Sequence, residues 1–327
     1  MTPSELAAAL AAFPLVPLFV APTIIEPMPR LEAILGGGPH LFIKRDDAIP
    51  FGFGGNKVRK LSFVAAQAQA ERACTLITAG AVQSNHARAT AATAARLGMR
   101  MIIVASGVAP TTPTANALLD QLLGAEVVYV PAREDREPMM HEIADRLHAE
   151  GRRPFVIPAG ASMPLGALGF VQAMAELVQQ MPAPDVIVHA TSTGGTQAGL
   201  VAGCRLLGLP TRVVGVSADE QAPAIQAHVR ALIAGIADLL SLDPSVLLRG
   251  SSPIEVDDRF VGEGYGVPTD ASREAIELTA RTEGTFLDPV YTAKAMAALL
   301  AYVRQQRFTD GQRILFWHTG GQVALFA

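Results

Sequence analysis

An α/β fold of open, twisted, parallel-rich sheets covered by helices is predicted by two features of the chain. Short aliphatic and β-branched runs alternate with helix-spaced segments along nearly its whole length. Those runs read as buried strands that lead into loops, the mark of parallel strands sandwiched between helices. With 327 residues, half of them hydrophobic, the chain exceeds what one compact core holds, and two domains are expected.

The elements follow in order. Residues 6–21 (LAAALAAFPLVPLFVA) are apolar like a secretory core. No Lys or Arg precedes them, however, and Pro14 and Pro17 interrupt the run, so a soluble arm packed on the body is expected and no membrane segment. LFIKR (41–45) reads as a strand and KVRKLSFVAAQAQAER (57–72) as a helix. TLITAG (75–80) is a strand, and SNHARATAATAARLG (84–98) an Ala-rich helix that stops at glycine. MIIVAS (101–106), NALLDQLLG (116–124), EVVYV (126–130), REPMMHEIADRLHAEG (136–151) and PFVIPAG (154–160) continue the alternation. PDVIVHATSTGG, TRVVGVSAD and QRILFWHTGG each read as a buried strand entering a loop. The densest alternation, 57–165, makes a complete small α/β domain inserted into a larger one formed by 1–56 and 166–327.

Bulk properties narrow the partners. Net charge is −4 and no basic patch dominates, which argues against nucleic acid. Two distant cysteines, Cys74 and Cys204, fit a reduced cytoplasmic protein. No metal site is expected. HEIAD (141–145) has Asp145 where a zinc-protease motif requires its second histidine, and GEGYG (262–266) precedes no dinucleotide-binding unit.

Ligands of open α/β sheets sit beyond the carboxyl ends of strands, which selects AGAVQSNH, ATSTGGTQAG and WHTGG. TSTGGTQAG (191–199) opens a helix with small residues, so backbone N–H groups and the Thr193 and Thr196 hydroxyls are free for an anion; the alternative is a plain tight turn. In QSNH, Ser84 and Asn85 open a helix in the same way, and there an ordinary helix cap is the simpler reading than a catalytic role. FGFGGNKVRK (51–60) places Lys57, Arg59 and Lys60 at a helix start, where the dipole disfavours cations. A bound anion, or a lysine that is not a free cation, removes that conflict. Lys57 and Lys60 lie one turn apart and face one side.

Together, IKRDDAIP, GGNKVRKL, TLITAGAVQSNHAR, STGGTQAGL, GYGVP, FLDPVYTAKAM and ILFWHTGG, in this order, resemble the pyridoxal 5′-phosphate (PLP) dependent family of D-cysteine desulfhydrase and 1-aminocyclopropane-1-carboxylate (ACC) deaminase. The resemblance spans nearly the whole chain from about residue 13. It implies PLP-enzyme fold type II, with the cofactor in the interdomain cleft, usually in a homodimer, and a small amino-acid substrate. Carried onto this chain, Lys57 forms the Schiff base and moves the proton. Lys60 holds the phosphate with Thr193, Gly194, Gly195 and Thr196. Asn85 bonds the cofactor 3′-oxygen and Ser84 takes the substrate carboxylate. Tyr291 and Tyr265 flank the substrate, Thr292 faces the pyridine nitrogen, and Thr319 and Gly320 lie nearby.

ACC deaminase carries a glutamate where this chain has Thr292. A hydroxyl cannot hold the ring nitrogen protonated, so a weaker electron sink and β-elimination are expected: D-cysteine to pyruvate, hydrogen sulfide and ammonia. The alternatives are ACC deamination, a cysteate sulfo-lyase, and a non-catalytic PLP-binding protein. An extra cation near the β-substituent would favour the sulfo-lyase, and none stands out in the sequence. Ser62 replaces a glutamate that relatives carry after Lys60-Leu61, and Gln322-Val323 replaces Ala-Pro. Gln322, beside the ring loop, is a candidate for altered substrate choice, and Phe51 and Phe53 for a cleft wall.

Overall fold

The computed structural model describes residues 1–248 and 253–327. In chain order the elements are α1 (Pro3–Leu10), β1 (Ile25–Pro27), α2 (Pro29–Ile34), β2 (His40–Arg45), α3 (Asn56–Ala70), β3 (Thr75–Ala81), α4 (Asn85–Leu97), β4 (Arg100–Ser106), α5 (Ala115–Leu122), β5 (Glu126–Val130) and α6 (Arg136–Ala149). There follow β6 (Pro154–Ile157), α7 (Pro164–Gln180), β7 (Val186–Thr191), α8 (Gly195–Leu206), β8 (Arg212–Ser217), α9 (Ala222–Leu239), α10 (Pro244–Leu248), β9 (Glu255–Asp257), α11 (Asp270–Glu283), α12 (Thr292–Arg304) and β10 (Arg313–His318).

Two sheets form. The smaller is fully parallel, in the order β5-β4-β3-β6, and all its strands fall within 57–165. The larger has the order β1-β2-β10-β7-β8-β9 and is parallel except for its edge strand β1. β7 is buried at every residue, as its unbroken apolar run requires of a strand covered on both faces. One face of the larger sheet packs on α1, α7, α8 and α9, through residues such as Leu6, Phe170, Leu200 and Ile233. The other packs on α2, α11 and α12, through Leu31, Ala275, Met296 and Leu300. On the smaller sheet α3 and α4 cover one face and α6 the other.

The apolar N-terminal stretch packs on the body. A Thr2–Glu5 capping box starts α1, whose Leu6 and Leu10 are buried against α7. Among the described residues no helix is long and apolar enough to cross a membrane. Cys74 and Cys204 are both free thiols, one exposed and one buried.

Helix α3 joins the two layers. Val58, Leu61 and Val64 enter the core under the smaller sheet, whereas Phe63 enters that of the larger. Its third face carries Arg59, fully buried, whose guanidinium bonds Asp46 (2.8–3.0 Å) and Glu176 (2.9 and 3.0 Å). The Trp317 indole donates to the same Asp46. Breaking a buried pair of this kind leaves an uncompensated charge, so this network fixes the rotation of α3 and hence the direction of Lys57 and Lys60.

Candidate active site

A cavity opens between the carboxyl edges of the two sheets. From the smaller sheet it takes the end of β3, the start of α4, Ser106 at the end of β4, and Arg133 and Arg136 after β5. From the larger it takes the loop from β7 into α8, Asp219 after β8, Tyr265, Tyr291, Thr319 and Gly320. Lys57 and Lys60 face it from α3.

The approach to Lys57 is a turn that only glycine can make. Gly54 (φ 67°) and Gly55 (φ 96°) have left-handed φ, and a Cβ on Gly54 would lie 2.4 Å from the Ile49 carbonyl oxygen. The Gly55 Cα rests against Gly320, and the Asn56 N–H bonds the Thr319 carbonyl at 3.0 Å, so the loop before Lys57 is seated on the loop after β10.

The three cations at the head of α3 have different fates. Arg59 is neutralised by its two carboxylates. Lys57 has no hydrogen-bond partner among the described residues; burial lowers its pKa to about 8, against the opposing pull of Asp219. Burial and the Lys57 charge push Lys60 well below the usual lysine value, and among the described residues its one bond is to the Gly160 carbonyl at 3.1 Å. Two amines facing one cavity, with no carboxylate in ion-pair distance among the described residues, suit an anionic ligand.

The first turn of α8 faces them. Among the described residues no side chain caps this helix, and its N-cap is Gly194 at φ 77°. The N–H groups of its first turn therefore point into the cavity beside Lys60. The Thr193 hydroxyl meets Ser162 Oγ at 2.6 Å, and Thr196 accepts from the Asn56 amide at 2.9 Å. A Cβ on Gly195 would come within 2.8 Å of both Lys60 Nζ and Ser162 Oγ, so glycine is required for the ammonium to reach the helix end. Uncapped amides, hydroxyls and Lys60 together fit a phosphate group, and Lys57 beside them fits an aldehyde-bearing cofactor.

On the smaller-sheet side, Ser84 caps α4, accepting from the Ala87 N–H at 3.2 Å, and Asn85 Oδ1 accepts from the Asn116 amide at 2.9 Å. Both line the cavity. His86 is buried beside the lysines, and its protonation is determined by its neighbour. Thr78 gives its only proton to the Ile157 carbonyl (2.7 Å), so it must accept from His86 Nε2 (2.8 Å). His86 Nδ1 is then a bare acceptor, without a partner among the described residues. Burial and the two lysine charges hold the ring neutral.

Opposite, the Tyr265 and Tyr291 hydroxyls lie 2.8 Å apart, with rings edge to face at 5.9 Å. Burial and the neighbouring Tyr265 raise the Tyr291 pKa well above the usual phenol value, so it stands protonated, as a donor.

Thr292 departs from expectation. It does not line the cavity. Its hydroxyl donates to Asp288 Oδ1 (2.7 Å) and accepts from the Asp288 N–H (2.8 Å). Asp288 also accepts from the backbone N–H groups of Val290, Tyr291 and Thr292. The aspartate of the LDPVYT segment is thus the cap of α12, and Thr292 completes that cap instead of facing a cofactor ring. Thr319, on the neighbouring loop, does line the cavity. Gln322 is also turned away, donating to the Asp47 carbonyl at 3.2 Å. Ser62 bonds the Val58 carbonyl of its own helix. Phe51 stacks on the Arg96 guanidinium and Phe53 is 57% exposed; neither walls the cavity.

Four titratable lining residues were missed from sequence: His86, Arg133, Arg136 and Asp219. The signal for the last three was present. They sit directly after the runs EVVYV and TRVVGVS, at the same carboxyl edges that singled out the other loops.

Comparison with known proteins agrees with this geometry. Residues 16–320 match the family described as pyridoxal-phosphate dependent enzyme. The chain is 42% identical over 326 residues to a D-cysteine desulfhydrase of Salmonella typhi, covering 97% of each protein. A solved ACC deaminase homologue superposes with a TM-score of 0.91 at 36% identity, covering 98% of this chain and 96% of that one. The processed form of threonine deaminase isoform 2 from Solanum lycopersicum, at 18% identity and TM-score 0.68, shares the fold over 98% of this chain and 84% of that one.

Proposed function

The chain belongs to the pyridoxal-phosphate-dependent enzyme family, and on that premise we propose that it is a lyase eliminating the β-substituent of D-cysteine, giving pyruvate, hydrogen sulfide and ammonia. The observation that carries the reading is the placement of Lys57. A half-buried amine with a pKa near 8 lies in a cavity whose one end is an uncapped phosphate cradle and whose other end is a protonated tyrosine pair. The 42% identical desulfhydrase supports the choice of substrate.

The site residues divide the work. Lys60, Thr193, Thr196 and the Gly194–Gly195 amides hold the cofactor phosphate, Asn85 its 3′-oxygen, and Lys57 anchors it covalently. The Ser84 hydroxyl and the amides at the start of α4 take the substrate carboxylate. When bound, the cofactor supplies the electron sink for the pair left on the α-carbon. Lys57 Nζ accepts the α-proton; its lowered pKa keeps a useful fraction of the amine neutral at physiological pH. Tyr291, kept protonated, donates toward the departing sulfur, and Tyr265 holds its hydroxyl in line. Thr319 Oγ takes the ring-nitrogen role expected of Thr292. A hydroxyl there still imposes no charge on the ring, so the preference for eliminating a good leaving group over opening a cyclopropane is kept. The division into a large domain (1–56 and 166–327) and an inserted small one (57–165), and a cytoplasmic homodimer, belong to the same proposal.

The test is an assay of purified, cofactor-loaded protein with D-cysteine. Sulfide and pyruvate in equal amounts are expected; neither product from loaded enzyme refutes the reading. Tyr291→Phe separates an enzyme from a cofactor-binding protein, since it retains the cofactor but loses turnover, by roughly 10²- to 10⁴-fold for a general acid.

A further inference from the structure

One buried cation beside the cavity has no part in the division of work above. Lys294 is the third residue of α12 and is fully buried. The helix dipole disfavours a cation in a first turn. Burial also lowers the Lys294 pKa, against the pull of Asp219 and Asp288. Its Nζ donates to three backbone carbonyls, those of Val261 (2.7 Å), Gly264 (2.9 Å) and Ala218 (3.2 Å). Three acceptors use all three protons of an ammonium, whereas a neutral amine has only two, so this geometry requires the charged form.

The carbonyls belong to the rim of the cavity. Ala218 precedes Asp219 and Gly264 precedes Tyr265, and both of those side chains line it. The segment 261–268 has little else to hold it. It contains no helix or strand, none of its side chains is buried, and Gly262, Gly264 and Gly266 have left-handed φ (68°, 140° and 78°). At one end Phe260 packs on Tyr302, and at the other Thr269 caps α11. Between them, beyond short-range turns, its hydrogen bonds among the described residues are the two to Lys294 and that of Tyr265 to Tyr291. The Tyr265 ring is 42% exposed, so packing alone does not fix it.

We infer that Lys294 is a positioning residue for the elimination: its ammonium draws the 261–268 segment onto the end of β8 and so holds the Tyr265 hydroxyl against Tyr291. This rests on the acid role proposed above for Tyr291. A lone phenol turns freely about its C–O bond, and a partner at 2.8 Å fixes it. With Tyr265 as the donor of that bond, the Tyr291 proton is left to point at the departing sulfur. Removing the ammonium leaves three carbonyls without donors, and a segment with no core of its own turns toward water to satisfy them. The Lys294 bonds reach neither Lys57 nor the start of α8, so the cofactor's anchor and phosphate cradle stay as they are.

The experiment compares cofactor-loaded parent with Lys294→Met, Lys294→Arg, Tyr265→Phe and the double variant Lys294→Met/Tyr265→Phe. It measures kcat and KM for D-cysteine, the absorbance of the bound cofactor, and hydrogen–deuterium exchange peptide by peptide. Lys294→Met should keep the cofactor spectrum and lower kcat by about tenfold or more, up to the roughly 10²- to 10⁴-fold that a general acid supplies, with a smaller change in KM. Exchange should quicken in 261–268 and not in β7 or α7. Lys294→Arg, which keeps the charge and several donors, should recover part of kcat. The double variant should lose little more than Tyr265→Phe alone, because Lys294 acts through Tyr265. Should Lys294→Met not fold, Lys294→Gln, which keeps two N–H donors without the charge, carries the same comparisons. A kcat within about twofold of the parent overturns the inference, as do losses that multiply in the double variant. Exchange that quickens equally throughout the chain also overturns it, since Lys294 then serves only stability. In each of these cases an active parent leaves the desulfhydrase reading intact. A parent inactive on D-cysteine refutes that reading instead, and faster exchange confined to 261–268 still supports the hold of Lys294 on the segment.

Discussion

Replacing Gly195 by alanine isolates the contact on which the phosphate cradle depends. Gly195 has no left-handed φ, so alanine adds no backbone strain. The perturbation is purely steric: a Cβ 2.8 Å from Lys60 Nζ, 2.8 Å from Ser162 Oγ and 3.1 Å from Ser162 Cα. The lysine is the mobile partner. Its ammonium moves off the end of α8 while the fold persists, so the thermal stability of the cofactor-free protein should change little. The cofactor phosphate then loses one charge-assisted hydrogen bond, about 1.5–3 kcal/mol, which weakens Kd by roughly 10- to 150-fold. Absorbance titration of cofactor-free protein with PLP measures this directly. Lys60→Met should cost a similar amount, and the double variant little more than either, because both remove the same contact. A Kd within threefold of the parent, or strictly additive losses, would refute the assignment of Lys60 to the phosphate.

With a pKa near 8, about a quarter of the Lys57 amine is neutral at pH 7.5, against about one part in a thousand for an ordinary lysine. Covalent attachment of PLP to cofactor-free protein should therefore accelerate with pH to a midpoint near 8, and a midpoint above about 9.5 contradicts the burial argument. Arg59→Met strands Asp46 and Glu176 in the core and should cost about 3–5 kcal/mol by denaturant unfolding. Burial opposes ionisation of Glu176, but Arg59 and Lys44 outweigh it and hold the carboxyl below its ordinary value of 4.5. Its stabilisation is complete above that value and is lost as pH falls through the lower folded pKa, so in Arg59→Met the acid limb of the stability curve should move to higher pH. Thr292→Val should lower stability by about 1–3 kcal/mol through the Asp288 cap, with the bound cofactor's spectrum unchanged; a spectral shift would return Thr292 to the ring.

The strands that carry the site were legible because a buried parallel strand leaves an unbroken apolar run, and GGNK, QSNH and TGGT mark the loops at their ends. Lys57 and Lys60 were legible as a pair from their one-turn spacing. Arg59, between them, looked like part of the same charge excess until the fold brought up Asp46 and Glu176, which lie 13 and 117 residues away in the chain. Thr292 shows the opposite failure. It neighbours a site tyrosine in sequence, yet the geometry of a helix start turns its hydroxyl back to Asp288.

What the sequence by itself determined was the layered architecture and the loops at the carboxyl ends of its strands, because each rests on local periodicity, spacing or glycine geometry. What only the tertiary structure decided was the allocation of charge. Which cation has a partner and which hydroxyl is committed to a cap depend on neighbours brought together from distant segments. In a buried site those neighbours determine whether a charge is neutralised or left available to a ligand.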